Sequence, residues 1–169
     1  MRTATIFAWA GLTLALLSGS GNAQFSPSPP ASAPPSAPSV GDVIPTFSAD
    51  GIDGSTQLLD FPRGSSTVLL FFLSGCPSCH KMIPEWNRAF ERRPPHLRVV
   101  GVLMDQEPPG FFTAVQVAFP VVRAPGREFL KSLKVNRAPL TLRVSQGGKI
   151  DDLALGVIDP IRLGEFFRR

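Results

Sequence analysis

Cysteine is scarce in this chain of 169 residues. There are two, Cys76 and Cys79, separated only by Pro77 and Ser78. So few exclude a framework of several disulfides. A bridge between them would enclose two residues, and the entropic stabilisation of a disulfide grows with the loop it closes. The pair therefore reads as chemical rather than structural. Long apolar runs are lacking too. The stretch 6–17 falls short of the roughly 20 residues that a bilayer-spanning helix needs. Runs of like charge are absent. The formal net charge is +4, and Arg92, Arg93, Arg98 and the Arg168-Arg169 pair form no long basic segment. With no recognition motif beside them, they read as solvated surface, and nucleic-acid binding is not expected. There is no internal repeat.

A short positive start (Met1, Arg2), the apolar stretch 6–17 and a small-residue end over 18–23 form the pattern of a secretory signal peptide, residues 1–23, with cleavage expected after Ala23. Retention as an uncleaved anchor is the alternative. No cysteine lies near that point to carry a lipid. Residues 24–39 are dominated by Pro, Ser and Ala and nearly uncharged, a composition that cannot bury enough apolar surface to fold and predicts an extended linker. One domain of ordinary size is expected over residues 40–169. An exported address would place its two thiols in oxidising surroundings.

Within that domain, residues 66–73 and 97–104 are continuous β-prone apolar runs, which predict strands buried on both faces. Residues 140–144 alternate apolar and polar side chains and predict a third strand. The Gln146-Gly147-Gly148 turn predicts a hairpin into a returning strand over 149–155. Short flanking strands are expected at 46–48 and 56–59, around a turn at 51–54. From Pro77 to Arg92, residues Met82, Ile83, Trp86, Ala89 and Phe90 follow helical spacing, and Pro94-Pro95 ends the helix. Short helices are expected over 110–118 and 127–133, separated by an extended stretch at 119–122. A last helix opens with Asp159 as N-cap and Pro160 at its first position. Crossovers early and a hairpin late imply an α/β fold with a mixed central sheet flanked by helices.

Cys76 falls where a strand ends and a helix begins. The free N–H groups and partial positive charge of a helix start favour a thiolate placed there. Pro77 suits the first helical turn. Cys79 lies one turn further on the same side, within reach of Cys76. This spacing lets Cys76 attack a foreign disulfide and Cys79 resolve the mixed disulfide that results. His80 would add positive charge beside the thiols or be solvated, and Lys81 reads as a surface residue. Pro84 sits inside the predicted helix and is expected to kink it two turns from the thiols.

The segment Cys76-Pro77-Ser78-Cys79-His80-Lys81-Met82-Ile83-Pro84 resembles the active-site helix of thioredoxin. Residues 135–142 and 147–150 resemble that family's cis-proline loop, strand and hairpin. Residues 40–47 and 118–121 resemble the TlpA/ResA branch of exported thiol-disulfide oxidoreductases. The likeness covers nearly all of residues 40–169. It implies a thioredoxin-like fold with Cys76 and Cys79 as the catalytic pair, no cofactor and no metal. It also implies that Pro139 is a cis proline facing the cysteines and keeping metal from them. Ala138 would offer its backbone to a substrate strand, with Pro77 and Pro84 as structural neighbours of the site. The partners implied are exported proteins bearing disulfides or dithiols, with a membrane redox partner to recharge the pair. A reductase role, as in cytochrome maturation, follows from the TlpA/ResA likeness. Three positions depart from the pattern. Leu70 and Met82 stand where family members carry an acid, and Gly75 replaces the usual tryptophan. Glu85, Asp105 and Glu107 are candidate substitutes for that acid.

Two rivals share the letters. Cys76-Pro77-Ser78-Cys79-His80 spells a c-type haem attachment site, with Met104 as an axial candidate, although cytochromes c are mainly helical and this motif follows a β-run. A peroxiredoxin-like peroxidase would share the scaffold and use one cysteine with Thr and Arg nearby. A binding or chaperone module with a locked disulfide is a third class.

Overall fold

A computed structural model describes residues 37–168. The proposed signal peptide and residues 24–36 of the proposed linker lie outside the described residues. The chain runs β1 (Phe47–Asp50), β2 (Thr56–Leu59), β3 (Ser66–Phe72), α1 (Pro77–Glu91), β4 (Leu97–Leu103), α2 (Phe111–Ala114), β5 (Val121–Arg123), α3 (Arg127–Ser132), β6 (Leu140–Val144), β7 (Ile150–Leu155) and α4 (Pro160–Arg168). Five strands form one sheet in the order β5-β4-β3-β6-β7, and β1 and β2 form a separate antiparallel pair. β3 pairs parallel with β4, and β4 with β5, while β6 pairs antiparallel with both β3 and β7. The sheet is mixed, as the crossovers and hairpin predict.

Period-two alternation in β3 divides the core. Leu69 and Phe71 point into a cluster with Phe47, Leu59, Leu130 and Leu133. Val68, Leu70 and Phe72 point the other way, against Met82, Ile83 and Trp86 of α1 and Leu163 and Phe166 of α4. All five of these β3 side chains are 0% exposed. A strand buried on both faces must read as a continuous apolar run.

Several expectations are corrected. The predicted helix over 110–118 is a single turn, Phe111–Ala114, and the extended stretch after it holds a short parallel strand, Val121–Arg123, at the sheet's edge. The strand expected over 140–144 forms as β6, and all five of its residues are buried. α4 covers the polar face, where the Arg143 guanidinium donates to the Phe166 carbonyl (2.6 Å) and Trp86 Nε1–H donates to Thr141 Oγ1 (3.2 Å). Those bonds satisfy groups that would otherwise be costly to bury. Pro84 lies inside α1, which continues to Glu91 as the apolar stripe requires. Asp159 caps α4 as expected, its Oδ1 accepting from the N–H groups of Ile161 (2.9 Å) and Arg162 (3.0 Å).

One tight approach joins the N-terminal segment to the hairpin. Gly148 has φ +81°, and a Cβ there would sit 1.9 Å from the Ile44 carbonyl oxygen. The Gly148 carbonyl itself accepts from Ile44 N–H at 2.8 Å. Gly148→Ala combines a left-handed backbone with a backbone clash and should cost at least about 2 kcal/mol. Urea denaturation checks this, and an unchanged midpoint would contradict it.

Candidate active site

The site forms where β3 stops. Leu73, Ser74 and Gly75 carry the chain off the sheet, and Cys76 becomes the N-cap of α1 with φ −91° and ψ 114°. Its Sγ accepts from Cys79 N–H at 3.3 Å, doing what a Ser or Asp oxygen does at an ordinary N-cap. Pro77 opens the helix and sacrifices no backbone bond there. The Cys76 thiol also donates to the Ala138 carbonyl at 3.8 Å, and the Ala138–Pro139 peptide is cis. Cys76 and Ala138 lie 62 residues apart in sequence, and with Cys79 and Pro139 they meet at one end of the sheet.

The two thiols are unequal. Both are unbonded; Cys76 is half-buried and Cys79 is 0% exposed. Burial pushes the Cys79 thiol up to about 12, the Cys76 thiol beside it and the Asp105 charge adding to the effect while the Leu73 N–H opposes it. The outer sulfur can meet a foreign disulfide. Burial holds the inner one in its protonated form.

The three candidate acids are now distinguishable. Glu85 pairs with Arg88 on the surface of α1. Glu107 pairs with Arg123, whose guanidinium holds the Glu107 carboxyl below its ordinary value. Asp105 reaches the site. Its Oδ1 and Oδ2 accept from Ser74 N–H at 2.9 and 3.1 Å, and Oδ2 also accepts from Ser74 Oγ–H at 2.9 Å. Ser74, a residue the sequence did not single out, is 6% exposed. Its carbonyl lies 2.6 Å from His80 Nε2, which makes that nitrogen the donor, and the His80 ring centroid is 6.0 Å from that of Phe111. The register explains the Ser74–Asp105 meeting. Phe72 and Leu103 are parallel partners, and each of the two residues lies two positions beyond its strand's partner.

The haem reading does not fit this geometry. Covalent attachment needs both thiols outside the core and the histidine free, whereas Cys79 is wholly buried and His80 Nε2 is bonded to Ser74. Met104, the axial candidate, packs against the apolar cluster on the sheet's other face from Cys79. Among the described residues no helix is long and apolar enough to cross a membrane.

A model of the AhpC/TSA family matches residues 40–153. The chain belongs to that family. Among curated proteins, sporulation thiol-disulfide oxidoreductase A of Bacillus subtilis (strain 168) is 24% identical over 111 residues, which cover 62% of this chain and 67% of the relative. Among solved structures, StoA from Bacillus subtilis superposes with a TM-score of 0.63 at 23% identity, over 73% of this chain and 97% of StoA. The exposed lipoprotein thioredoxin Etrx1 from Streptococcus pneumoniae strain TIGR4 gives 0.62 at 19% identity, over 72% and 97%. The fold is thioredoxin-like, as the resemblance of residues 76–84 and 135–142 implies.

The raised Cys79 thiol has a measurable consequence. In the unfolded chain this thiol ionises at an ordinary value near 8.5. Between there and about 12 the folded protein keeps a proton that the unfolded chain has lost, so stability is full below that range and falls as pH rises through it. The reduced protein should lose up to about 1.4 kcal/mol per pH unit across the range from this group. Reduced Cys79→Ala should lack that contribution. Parallel slopes for the two proteins in urea titrations from pH 8 to 10.5 would contradict the assignment.

Proposed function

We propose that this protein is a thiol-disulfide oxidoreductase acting on exported proteins, with Cys76 as the attacking sulfur and Cys79 as the resolving one. The observation that carries the reading is the half-buried Cys76 Sγ at the α1 N-terminus, hydrogen-bonded to Cys79 N–H and facing Ala138 beside a cis Pro139. The name of the Bacillus subtilis relative, a thiol-disulfide oxidoreductase, supports it.

In the proposed cycle the Cys76 thiolate attacks one sulfur of a client disulfide. The client S–S bond breaks, its other sulfur leaves with the electron pair and takes a proton, and a Cys76–client disulfide remains. Cys79 gives up its proton and attacks Cys76 Sγ. The Cys76–Cys79 bond forms, the client's second thiol is released, and two electrons have passed to the client. Ala138 presents backbone groups to the client strand while Pro139 holds that loop against the thiols. Pro77 and Pro84 shape the helix that carries both sulfurs.

Export rests on the signal-like residues 1–23 and the linker-like residues 24–39, which lead into the domain from residue 40. The reductase direction rests on the TlpA/ResA likeness, with cytochrome maturation as the setting and a membrane dithiol donor as the partner that recharges the pair. A peroxidase using Cys76 alone is the second reading, since the AhpC/TSA family model is the one that matches. That chemistry would survive loss of Cys79.

Disulfide reduction of a secreted model substrate separates these readings. Cys76→Ser should lower turnover at least about 100-fold, and Cys79→Ser should accumulate a Cys76–substrate disulfide visible by mass spectrometry. Wild-type turnover by Cys76→Ser would refute the proposal, and peroxide consumption retained by Cys79→Ser would favour the peroxidase.

A further inference from the structure

We propose that the groove between α1 and α4 binds a single-chain anionic amphiphile of the fatty-acid kind, at a site separate from the thiols. The proposal goes beyond the dithiol chemistry and does not depend on it.

The groove has a volume of about 450 Å³, within the roughly 300–1,000 Å³ of small-molecule pockets. Its walls are two helical stripes. Glu85, Arg88, Ala89 and Arg92 come from the later half of α1 and its C-cap. Pro160, Gly164 and Arg168 come from α4, with Leu163 and Phe167 recessed below them at 2% and 3% exposure. Neither cysteine lines it.

Gly164 keeps the groove open. It lies inside α4, where glycine is the poorest helix former after proline. Its packing does not demand a glycine. The atoms nearest to a Cβ placed there, at 3.0, 3.2 and 3.5 Å, all belong to the Arg168 guanidinium, the far end of a flexible side chain. A larger side chain at 164 would fill groove space instead.

The groove has a cationic end and an apolar end. Glu85 and Arg88 pair with each other and cancel. Among the described residues, Arg92 and Arg168 have no ion-pair partner. Arg168 Nε–H donates to the Gly164 carbonyl at 3.0 Å, which holds the guanidinium beside the groove with its Nη groups turned to no acceptor. α1 follows β3 and α4 follows β7, strands that point the same way because each is antiparallel to β6. Both helices fold back across one face of the sheet from the thiol end. Arg92 and Arg168, where α1 and α4 finish, therefore share the far end of the groove. Pro160 and Ile161 lie at the near end, in the first turn of α4. Ile161 is 76% exposed, the most of any large apolar side chain among the described residues.

That polarity matches a ligand with one anionic head and one aliphatic tail. The head sits between the two guanidinium forks, whose geometry suits a carboxylate. The tail runs over Ala89, Gly164 and Phe167 and ends against Ile161. Cations at helix C-termini are favoured by the helix dipole in any case, which accounts for the arginines but not for the open trough, the helical glycine or Ile161. A bilayer surface would call for a protruding apolar face, whereas Leu163 and Phe167 are recessed.

Calorimetric titration of the reduced full chain with sodium dodecanoate, below its micelle concentration, tests this. The proposal predicts saturation at one dodecanoate per chain. Arg92→Gln with Arg168→Gln should weaken binding at least about tenfold, and dodecyltrimethylammonium, with the same tail and the opposite charge, should not bind. Gly164→Leu should abolish binding with helical circular dichroism unchanged, and where that variant does not fold the double arginine variant decides. Cys76→Ser should bind as wild type does. No saturable binding would overturn the proposal, and so would equal affinity in the arginine variant or for the cationic probe. Association with phosphatidylglycerol vesicles without binding of free dodecanoate would overturn it in favour of a membrane surface. Loss of binding in Cys76→Ser would overturn it by placing the ligand at the thiols. Failure of disulfide reduction with dodecanoate binding intact would sink the dithiol reading and leave this site standing.

Discussion

The in-register parallel pairing of β3 with β4 is the constraint from which the site follows. With Phe72 opposite Leu103, both strands end at the same level. Functional groups in α/β folds gather beyond the carboxyl ends of parallel strands, where backbone turns away from the ladder and donors fall free. Here the chain leaving β3 supplies Ser74 and Cys76, and the chain leaving β4 supplies Asp105. β6, paired antiparallel on the other side of β3, brings Ala138 and Pro139 to that end from its own start. One end of the sheet thus assembles three segments distant in sequence.

The same pairing sets the chemistry by deciding what is buried. α1 must cover Val68, Leu70 and Phe72, so its inner stripe of Cys79, Met82, Ile83 and Trp86 goes under, each no more than 2% exposed. Cys79 therefore sits in the core as one knob of helix packing, while Cys76, at the cap, stays at the rim. Two residues of identical type become an accessible thiol and a buried, protonated one because a helix has an inside and an end.

Much of this is legible in the residues. Continuous apolar runs reveal β3 and β4, helical spacing reveals α1, and the Gly147-Gly148 turn reveals the β6–β7 hairpin. The pair Cys76 and Cys79 announces itself by scarcity, and Pro139 by its likeness to a known loop. What is hidden depends on contacts across the chain. β5 is three residues long behind Pro120 and owes its existence to β4. Thr141 and Arg143 look like a solvent face until α4 supplies Phe166 and α1 supplies Trp86 as partners. Asp105 cannot be ranked above Glu85 and Glu107 until the β3–β4 register sets it beside Ser74, and Ser74 has no signal of its own beyond preceding the cysteines.

The central claim is that one sulfur is presented and the other withheld. Substoichiometric N-ethylmaleimide on the fully reduced, folded protein at pH 7, followed by peptide mapping, tests it directly. The account predicts label on Cys76 with Cys79 unmodified at that stage. Label divided evenly between the two cysteines, or placed first on Cys79, would contradict it.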